Sequence, residues 1–367
     1  MEKDKATNDF RLDFSKEMIK EVLRAFHPFK SEDNIRLSVT DKSLIFEGEE
    51  LGNTIKLTIS YDNIPTIAID KSLFMSLHFL NQINQVCDDN VPFTFFRENE
   101  QQPFTEISVD ISGTILNVGL PIYEKDINTD YITTGIDEAL LSETIDKALK
   151  HTFSSEIRDA RLLGLLSIGD AMKSGSTCGV SYYFNLFKKI DTRVSIDFRK
   201  YLTNLCKMGG FVKVVMAQDN QVVFINDNVE YKTHQVNMDF PNLGDTIDLD
   251  NPLTEFICGL ANLKSILLRL SIAVQPNDNL LIKLNDGDMD LRVTDLQGRE
   301  SDGGMMLVSY KGTDCDVSIP IGNLLYSVNF FDDDAVIKVY KKIDGDDNPV
   351  AISIETQEKV VYLSLSL

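Results

Sequence analysis

Lys16, Lys20 and Arg24 fall at i, i+4 and i+8 in the segment SKEMIKEVLRAF (15–26). On a helix this spacing places three cations along one stripe, opposite the apolar Met18, Ile19, Val22, Leu23 and Phe26. A row of long cations holds phosphates without any bond-making chemistry. Similar placements recur along the chain. EALLSETIDKALKHTF (138–153) carries Lys147 and Lys150, with Arg158 and Arg161 just beyond it. ANLKSILLRLSIAV (261–274) carries Lys264 and Arg269, and further helical segments carry Lys71, Arg199, Lys200 and Lys207. The segment 320–330 has no basic residue, and Glu17, Glu21 and Asp146 share the other faces, so a solvated helix surface is the plain alternative.

Residues suited to catalysis are not arranged for it. His27, His78, His151 and His234 have no H-x-E or H-x₃-H partner, so no zinc site is expected. There is no G-x-x-x-x-G-K-[ST], no G-x-G-x-x-G and no G-x-S-x-G. DGDMD (286–290) opens like a calcium loop. Leu291 then stands where the loop needs glycine and Gln297 where it needs a bidentate glutamate, so it reads as a polar turn. Acidic residues are plentiful, but nothing selects a catalytic pair. The expectation is a protein that is not an enzyme and has no cofactor or metal.

Charge and composition narrow the class further. The chain has 57 acidic against 36 basic side chains, a net charge of −21, and 43% hydrophobic residues. A uniformly acidic surface repels nucleic acid, so where the cations sit matters more than their sum. No apolar run is long enough to span a bilayer, and MEKDKATNDF lacks the apolar core of a secretory signal. Cys87, Cys178, Cys206, Cys258 and Cys315 form no C-x-x-C pair and fit buried thiols in a reducing cytoplasm, the expected location.

At 367 residues the chain exceeds one ordinary core, and its pattern repeats. IAIDKSLFMSLHFLNQI (67–83), VSIDFRKYLTNLCKM (194–208) and VSIPIGNLLYSVNFF (317–331) each join a short strand to an apolar helical pattern. Asp70 and Asp197 suit helix caps and Pro320 a first turn. The first of these helices is expected to carry Leu73, Leu77 and Leu80. Strand runs follow each segment, separated by turn residues such as Asp219-Asn220 and Asp344-Gly345. An amphipathic helix precedes each one. The reading is an α+β chain of three tandem units, 1–128, 129–250 and 251–367, each with two helices packed on antiparallel sheets.

This plan resembles the bacterial-type DNA polymerase sliding clamp, the β subunit of the replicase, over nearly the whole chain. VNMDFPNLGD (236–245) is similar to the family's F-P-D segment, LKSILLRLSIAV (263–274) to its first helix of domain three, and VVYLSLSL (360–367) to its closing strand. The resemblance implies a homodimeric ring, helices inside, around double-stranded DNA. The ring holds a DNA polymerase by a peptide-binding cleft and is placed by a clamp loader. The DNA-facing residues are then the Lys and Arg named above. Strand 104–111 and the helix around Ile266–Ile272 would form the two sides of the dimer seam.

By the same resemblance the cleft would be walled by Leu162, by Gly179, Val180, Ser181, Tyr182, Tyr183 and Phe184, by Pro241 and Thr246, and by Val361, Leu363 and Leu365. The family's common T-D-G-H-R-L pattern is replaced here by GVSYYF, with tyrosines at the His and Arg positions, as in a divergent member such as a phage-encoded one. Two other readings stand beside it. One is a clamp-like scaffold for repair factors; the other is a β-rich hydrolase or ligand-binding protein.

Overall fold

The computed structural model describes residues 11–40, 42–61, 72–87, 93–96, 106–120, 127–152, 165–176, 179–332, 334–343, 345 and 347–365. Lys71, Asp70, Arg158, Arg161, Leu162 and Asp344 lie outside the described residues. Two compact units form, residues 1–146 with 198–235, and residues 147–197 with 236–367.

The chain begins with β1 (Arg11–Phe14), α1 (Lys16–Ala25), β2 (Asn34–Val39), β3 (Ser43–Glu50), β4 (Asn53–Ser60) and β5 (Leu73–Ser76). It continues through α2 (Leu77–Val86), β6 (Phe93–Phe96), β7 (Glu106–Ile111), β8 (Thr114–Gly119), β9 (Thr133–Leu141) and α3 (Ser142–His151). Next come β10 (Leu165–Ile168), β11 (Ala171–Ser176), β12 (Gly179–Phe184), β13 (Thr192–Ser195), α4 (Arg199–Lys207), β14 (Phe211–Ala217), β15 (Gln221–Asn226) and β16 (Val229–His234). Then follow β17 (Thr254–Cys258), α5 (Leu260–Leu270), β18 (Asn279–Asn285), β19 (Asp288–Thr294) and β20 (Glu300–Met306). The last are β21 (Ser309–Gly312), β22 (Cys315–Pro320), α6 (Ile321–Val328), β23 (Ala335–Tyr340), β24 (Ala351–Glu355) and β25 (Lys359–Ser364).

In the first unit one sheet has the order β1-β6-β7-β8 and the other β5-β2-β3-β4-β16-β15-β14-β9. In the second unit the orders are β13-β10-β11-β12-β25-β24-β23-β17-β21 and β20-β19-β18-β22. Helices cover one face of these sheets. In the second unit Leu263, Leu267 and Leu270 of α5 and Ile321, Leu324 and Val328 of α6 share one core with Phe256, Ile282, Leu291 and Ile354. In the first unit Phe14 meets Phe95 edge-on at 4.9 Å, and Ile19 and Val22 of α1 are buried.

Local chemistry explains most element ends. Ser15 Oγ accepts from the Met18 amide at 3.2 Å and starts α1, with Glu17 in its first turn. Asp219 and Asn220 both take positive φ in the three-residue connection between Ala217 and Gln221, a tight hairpin turn as the sequence suggests. Other starts differ from expectation. α2 begins at Leu77 and is capped by Ser76, whose Oγ accepts from the Phe79 amide at 3.1 Å. Leu73 belongs to β5, opposite Leu37, because Leu73 and Met75 alternate inward as a strand must. Asp197 sits inside a single 3₁₀ turn and α4 has no side-chain cap. Residues 138–141, expected on a helix, end β9 instead, paired to β14.

β7, expected at an open edge, lies between β6 and β8, so the edges of its sheet belong to β1 and β8. The segment at 127–130 is strapped to the eight-stranded sheet. Arg36 donates to Glu47 and to the Ile127 carbonyl at 2.7 Å, and Thr129 donates to Glu47. Lys232 donates to the carbonyls of Asn128 and Asp130 at 2.7 and 2.8 Å. Burial pulls the Lys232 ammonium below its ordinary range, and these two acceptors keep it satisfied.

Candidate nucleic-acid interface and partner-binding face

The basic residues of the sequence serve different ends in the fold. Lys16 is half-buried and donates to the Cys87 carbonyl at 2.9 Å, satisfying the C-terminal end of α2. Lys20 and Arg24 stay exposed one turn apart. Arg24 gives one N–H to the Lys207 carbonyl at the end of α4, which anchors its guanidinium there. Lys200 pairs with Glu50 at 2.8 Å, and Tyr201 donates to the same carboxylate at 2.7 Å. Tyr201 is pushed far above the ordinary phenol range, first by burial and then by Glu50. Lys147, Lys150, Lys207, Lys264 and Arg269 are exposed and Arg199 is partly covered. In the first unit the fold therefore brings Lys20, Arg24 and the end of α4 together. α6 contributes no cation, as its sequence says.

The expected cleft residues split between the two faces of one sheet. β12 pairs with β25 in the register Gly179↔Leu363, Ser181↔Val361 and Tyr183↔Lys359 on one face, and Val180↔Tyr362 and Tyr182↔Val360 on the other. Val361 and Leu363 are each 1% exposed and belong to the core, with Leu365 packed partly against it. They support the face from beneath and do not wall an open cleft, because the alternation that aligns them points them at α5 and α6. Ser181 and Val180 are buried as well. Gly179 has β25 so close that no side chain fits.

The opposite face carries what can be touched. Tyr182 stacks on Phe184 at 6.2 Å and meets Phe240 and Tyr362 edge-on at 6.0 and 5.8 Å. Lys173 lies over the Tyr182 ring at 5.7 Å. Burial pushes both Tyr182 and Tyr362 up to about 12. Pro241 follows Phe240 and is partly exposed; Thr246 is exposed and closes its own turn by donating to the Leu243 carbonyl at 3.2 Å. Sequence reasoning passed over Phe240, Tyr362 and Lys173. Tyr362 was legible as the out-of-phase residue of the closing strand, whereas its meeting with Tyr182 depends on strand pairing that no local signal carries.

On the core side Tyr183 stacks on His151 at 6.0 Å, and Phe330 meets His151 edge-on at 5.7 Å. Lys359 Nζ lies 3.2 Å from His151 Nε2 and also donates to the Phe330 carbonyl. Burial, and then the Lys359 charge, pull His151 down to about 4 from 6.5, with Lys150 adding to this and Asp332 opposing it. Between pH 6.5 and 4 the unfolded chain therefore binds more protons than the folded one, so stability falls as pH falls through that window. With solvent screening at a half-buried ring the loss is about 1–2 kcal/mol. Thermal melts from pH 7 to pH 4 should show it, and His151→Gln should remove that part of the slope. An unchanged slope would dismiss the linkage.

Paired helices on antiparallel sheets, with basic residues on the helices and an aromatic patch on a sheet face, define an α+β fold of the sliding-clamp class. Solved structures with the same fold include bacterial DNA polymerase III beta subunits. That of Pseudomonas aeruginosa superposes with a TM-score of 0.81 at 11% identity, covering 97% of this chain and 100% of that one. The beta chain of Streptococcus pneumoniae gives 0.79 at 15% identity, with 97% and 99% covered, and that of Thermotoga maritima 0.78 at 10%, with 97% and 99% covered. No protein-family profile matches the sequence, and no curated protein matches it by sequence. The likeness therefore lies in the fold, at identities where side chains have diverged almost completely. No helix among the described residues is long and apolar enough to cross a membrane.

Proposed function

We propose that the chain is a DNA sliding clamp, a non-enzymatic processivity factor that closes as a homodimeric ring around duplex DNA. The sheet topology is the observation that carries this reading. Each of the two large sheets joins two sets of strands at one junction, four with four at β4 against β16 and four with five at β12 against β25. The two remaining sheets end on β8 and on β20, the strands in the matching positions. β8 of one copy meeting β20 of a second would complete the same junction twice, once at each seam, and leave neither edge open. Three tandem domains, 1–128, 129–250 and 251–367, follow from the same reading.

Exposed apolar side chains lie on or near these edges. Ile115 and Leu116 on β8 are exposed, as are Met306 on β20, Val86 on α2, and Leu268 and Ile272 on or next to α5. The acidic total stops being an objection in a ring, because retention is topological and only the helix faces meet DNA. A purified sample is expected at about 83 kDa, twice the 41.4 kDa chain, and to remain on nicked circular DNA until the circle is cut. A monomer that leaves circular and linear DNA equally fast would refute the proposal.

Tethering is assigned to the aromatic face around Tyr182, which would take a short apolar peptide from a DNA polymerase or clamp loader. Tyr182→Ala removes the ring that Phe184, Phe240 and Tyr362 all contact. It should weaken capture of a polymerase tail peptide by about tenfold or more, the size of an aromatic hot spot, and leave the dimer intact. Undiminished binding by calorimetry would move the site elsewhere.

A further inference from the structure

The sheet face that carries Tyr182 does not end with its aromatic rings. Directly opposed residues of an antiparallel sheet share a face, so strand register traces that face outward. One row runs Lys173, Tyr182, Val360, Glu355, Val336 and Ile257. The next runs Val180, Tyr362, Ser353, Lys338 and Glu255. At about 4.8 Å between strands, Glu355 lies about 14 Å from Lys173, and Glu255 about 24 Å. The far end of both rows floors a hollow of about 770 Å³, where Glu255, Asp332, Asp334, Glu355 and Glu358 bring carboxylates. Its two lysines are committed, Lys338 to Glu355 at 2.7 Å and Lys359 to the Phe330 carbonyl. The near end has the opposite sign. Lys173 lies over the Tyr182 ring at 5.7 Å and has no carboxylate partner among the described residues. Arg193, beyond Ser167 in the same row, is held by Asp191 and Asp239 at 3.1 and 3.5 Å. The rings therefore stand between an uncompensated ammonium and an acid-lined hollow.

We propose that this face selects a polarised peptide, apolar at its centre, acidic at the end over Lys173 and basic at the end over the hollow; the inference rests on the tethering role assigned to Tyr182. Neither charged end belongs to the residues that the clamp resemblance implies for the cleft. An extended chain at about 3.3 Å per residue covers 14–24 Å in about four to seven residues, the length of a short linear motif. Every strand from β11 to β17 along these rows is paired on both sides, so the peptide is held by its side chains and not by strand addition. The rings supply most of the affinity. The two ends act on selection, because a like charge set against either of them is penalised. A partner is thereby sorted by its flanking charges and laid one way round across the sheet.

Synthetic peptides with one shared apolar centre separate the possibilities on the full-length protein. One is acidic at one end and basic at the other, made in both chain directions; one is neutral at both ends; one is basic at both ends. Calorimetry at low salt should show the better acid–base peptide binding about tenfold tighter than the neutral one, a preference that shrinks as salt rises. Asp334→Asn combined with Glu358→Gln should cut that preference to about threefold or less. Lys173→Glu should reverse the order of the two charged peptides, so that the one basic at both ends binds tighter. A gain of that kind does not come from misfolding, and melting temperatures are recorded for each variant. Equal affinity of wild type for all the peptides, with Tyr182→Ala lowering them together, overturns the polarity and keeps the tethering reading. Binding of none of them, or binding that Tyr182→Ala leaves unaltered, overturns the tethering reading and this proposal with it. An order unchanged by Lys173→Glu removes Lys173 from the site and refutes the two-ended form.

Discussion

Ile272→Asp is expected to convert the protein to a 41.4 kDa monomer that no longer stays on circular DNA. Ile272 is 86% exposed in the single chain, just past Ser271 at the end of α5, and its amide donates to the Arg269 carbonyl at 3.3 Å. Nothing in its own core depends on the side chain. In the proposed ring its neighbours would include Val86 of α2 and Ile115 and Leu116 of β8, apolar and exposed in the single chain, so an aspartate there would lose the burial of an isoleucine and desolvate a charge. These two effects together cost about 4 kcal/mol at a seam. In the proposed ring the substitution would act at two equivalent seams, about 8 kcal/mol in all, so a dimer stable at nanomolar concentration would come apart even at about millimolar. At a concentration where wild type is also monomeric, the melting temperature should hardly move, since an aspartate at a helix C-terminus costs only a few tenths of a kcal/mol. Ile272→Ser provides the uncharged comparison and should weaken the dimer less. A variant that still elutes as the dimer would place the seam away from α5.

The sequence makes this seam only half visible, and the reason is the range of the interactions involved. The apolar stripe of α5 is set within one helix, so Leu263, Leu267 and Leu270 are legible as core and Leu268 and Ile272 as the residues left over. The Asp219-Asn220 turn and the closing strand are legible for the same reason. Which strand lies at an edge is a property of pairing between distant residues. β7 looks like an edge strand in isolation and is an inner one because Phe95 pairs with Val109 and Leu116 with Val109 from the other side. The aromatic face shows the same limit. Alternation correctly groups Val361, Leu363 and Leu365, but only the sheet decides whether that group meets solvent or core. Leu73 is a third case. A leucine at helical distance from Leu77 also fits strand alternation, and Ser76 settles the choice by capping α2.

Gly179→Ala should be among the most damaging single-methyl changes in the second unit, and for a reason unrelated to peptide contact. A Cβ at Gly179 would drive into the Tyr362 carbonyl oxygen and sit 3.0 Å from Leu363 Cδ2. The obstruction is backbone, so no rotamer change relieves it, and β25 must move away from β12. That strand pair is where the two halves of the nine-stranded sheet meet, with Gly179 opposite Leu363 and Val180 opposite Tyr362. Overpacking of this kind costs about 2–3 kcal/mol, which lowers the melting temperature by about 5–10 °C in a unit of this size. The same displacement carries Tyr362 away from Tyr182, now 5.8 Å apart between ring centres, and Leu363 out of the core. Peptide capture should therefore fall even well below the melting temperature, whereas Tyr182→Ala should lose capture with little loss of stability. The two variants separate a residue that builds the face from one that belongs to it. A Gly179→Ala melt within about 1 °C of wild type would mean that β25 does not lie against β12 as described, and the junction argument for the ring would lose one of its two examples.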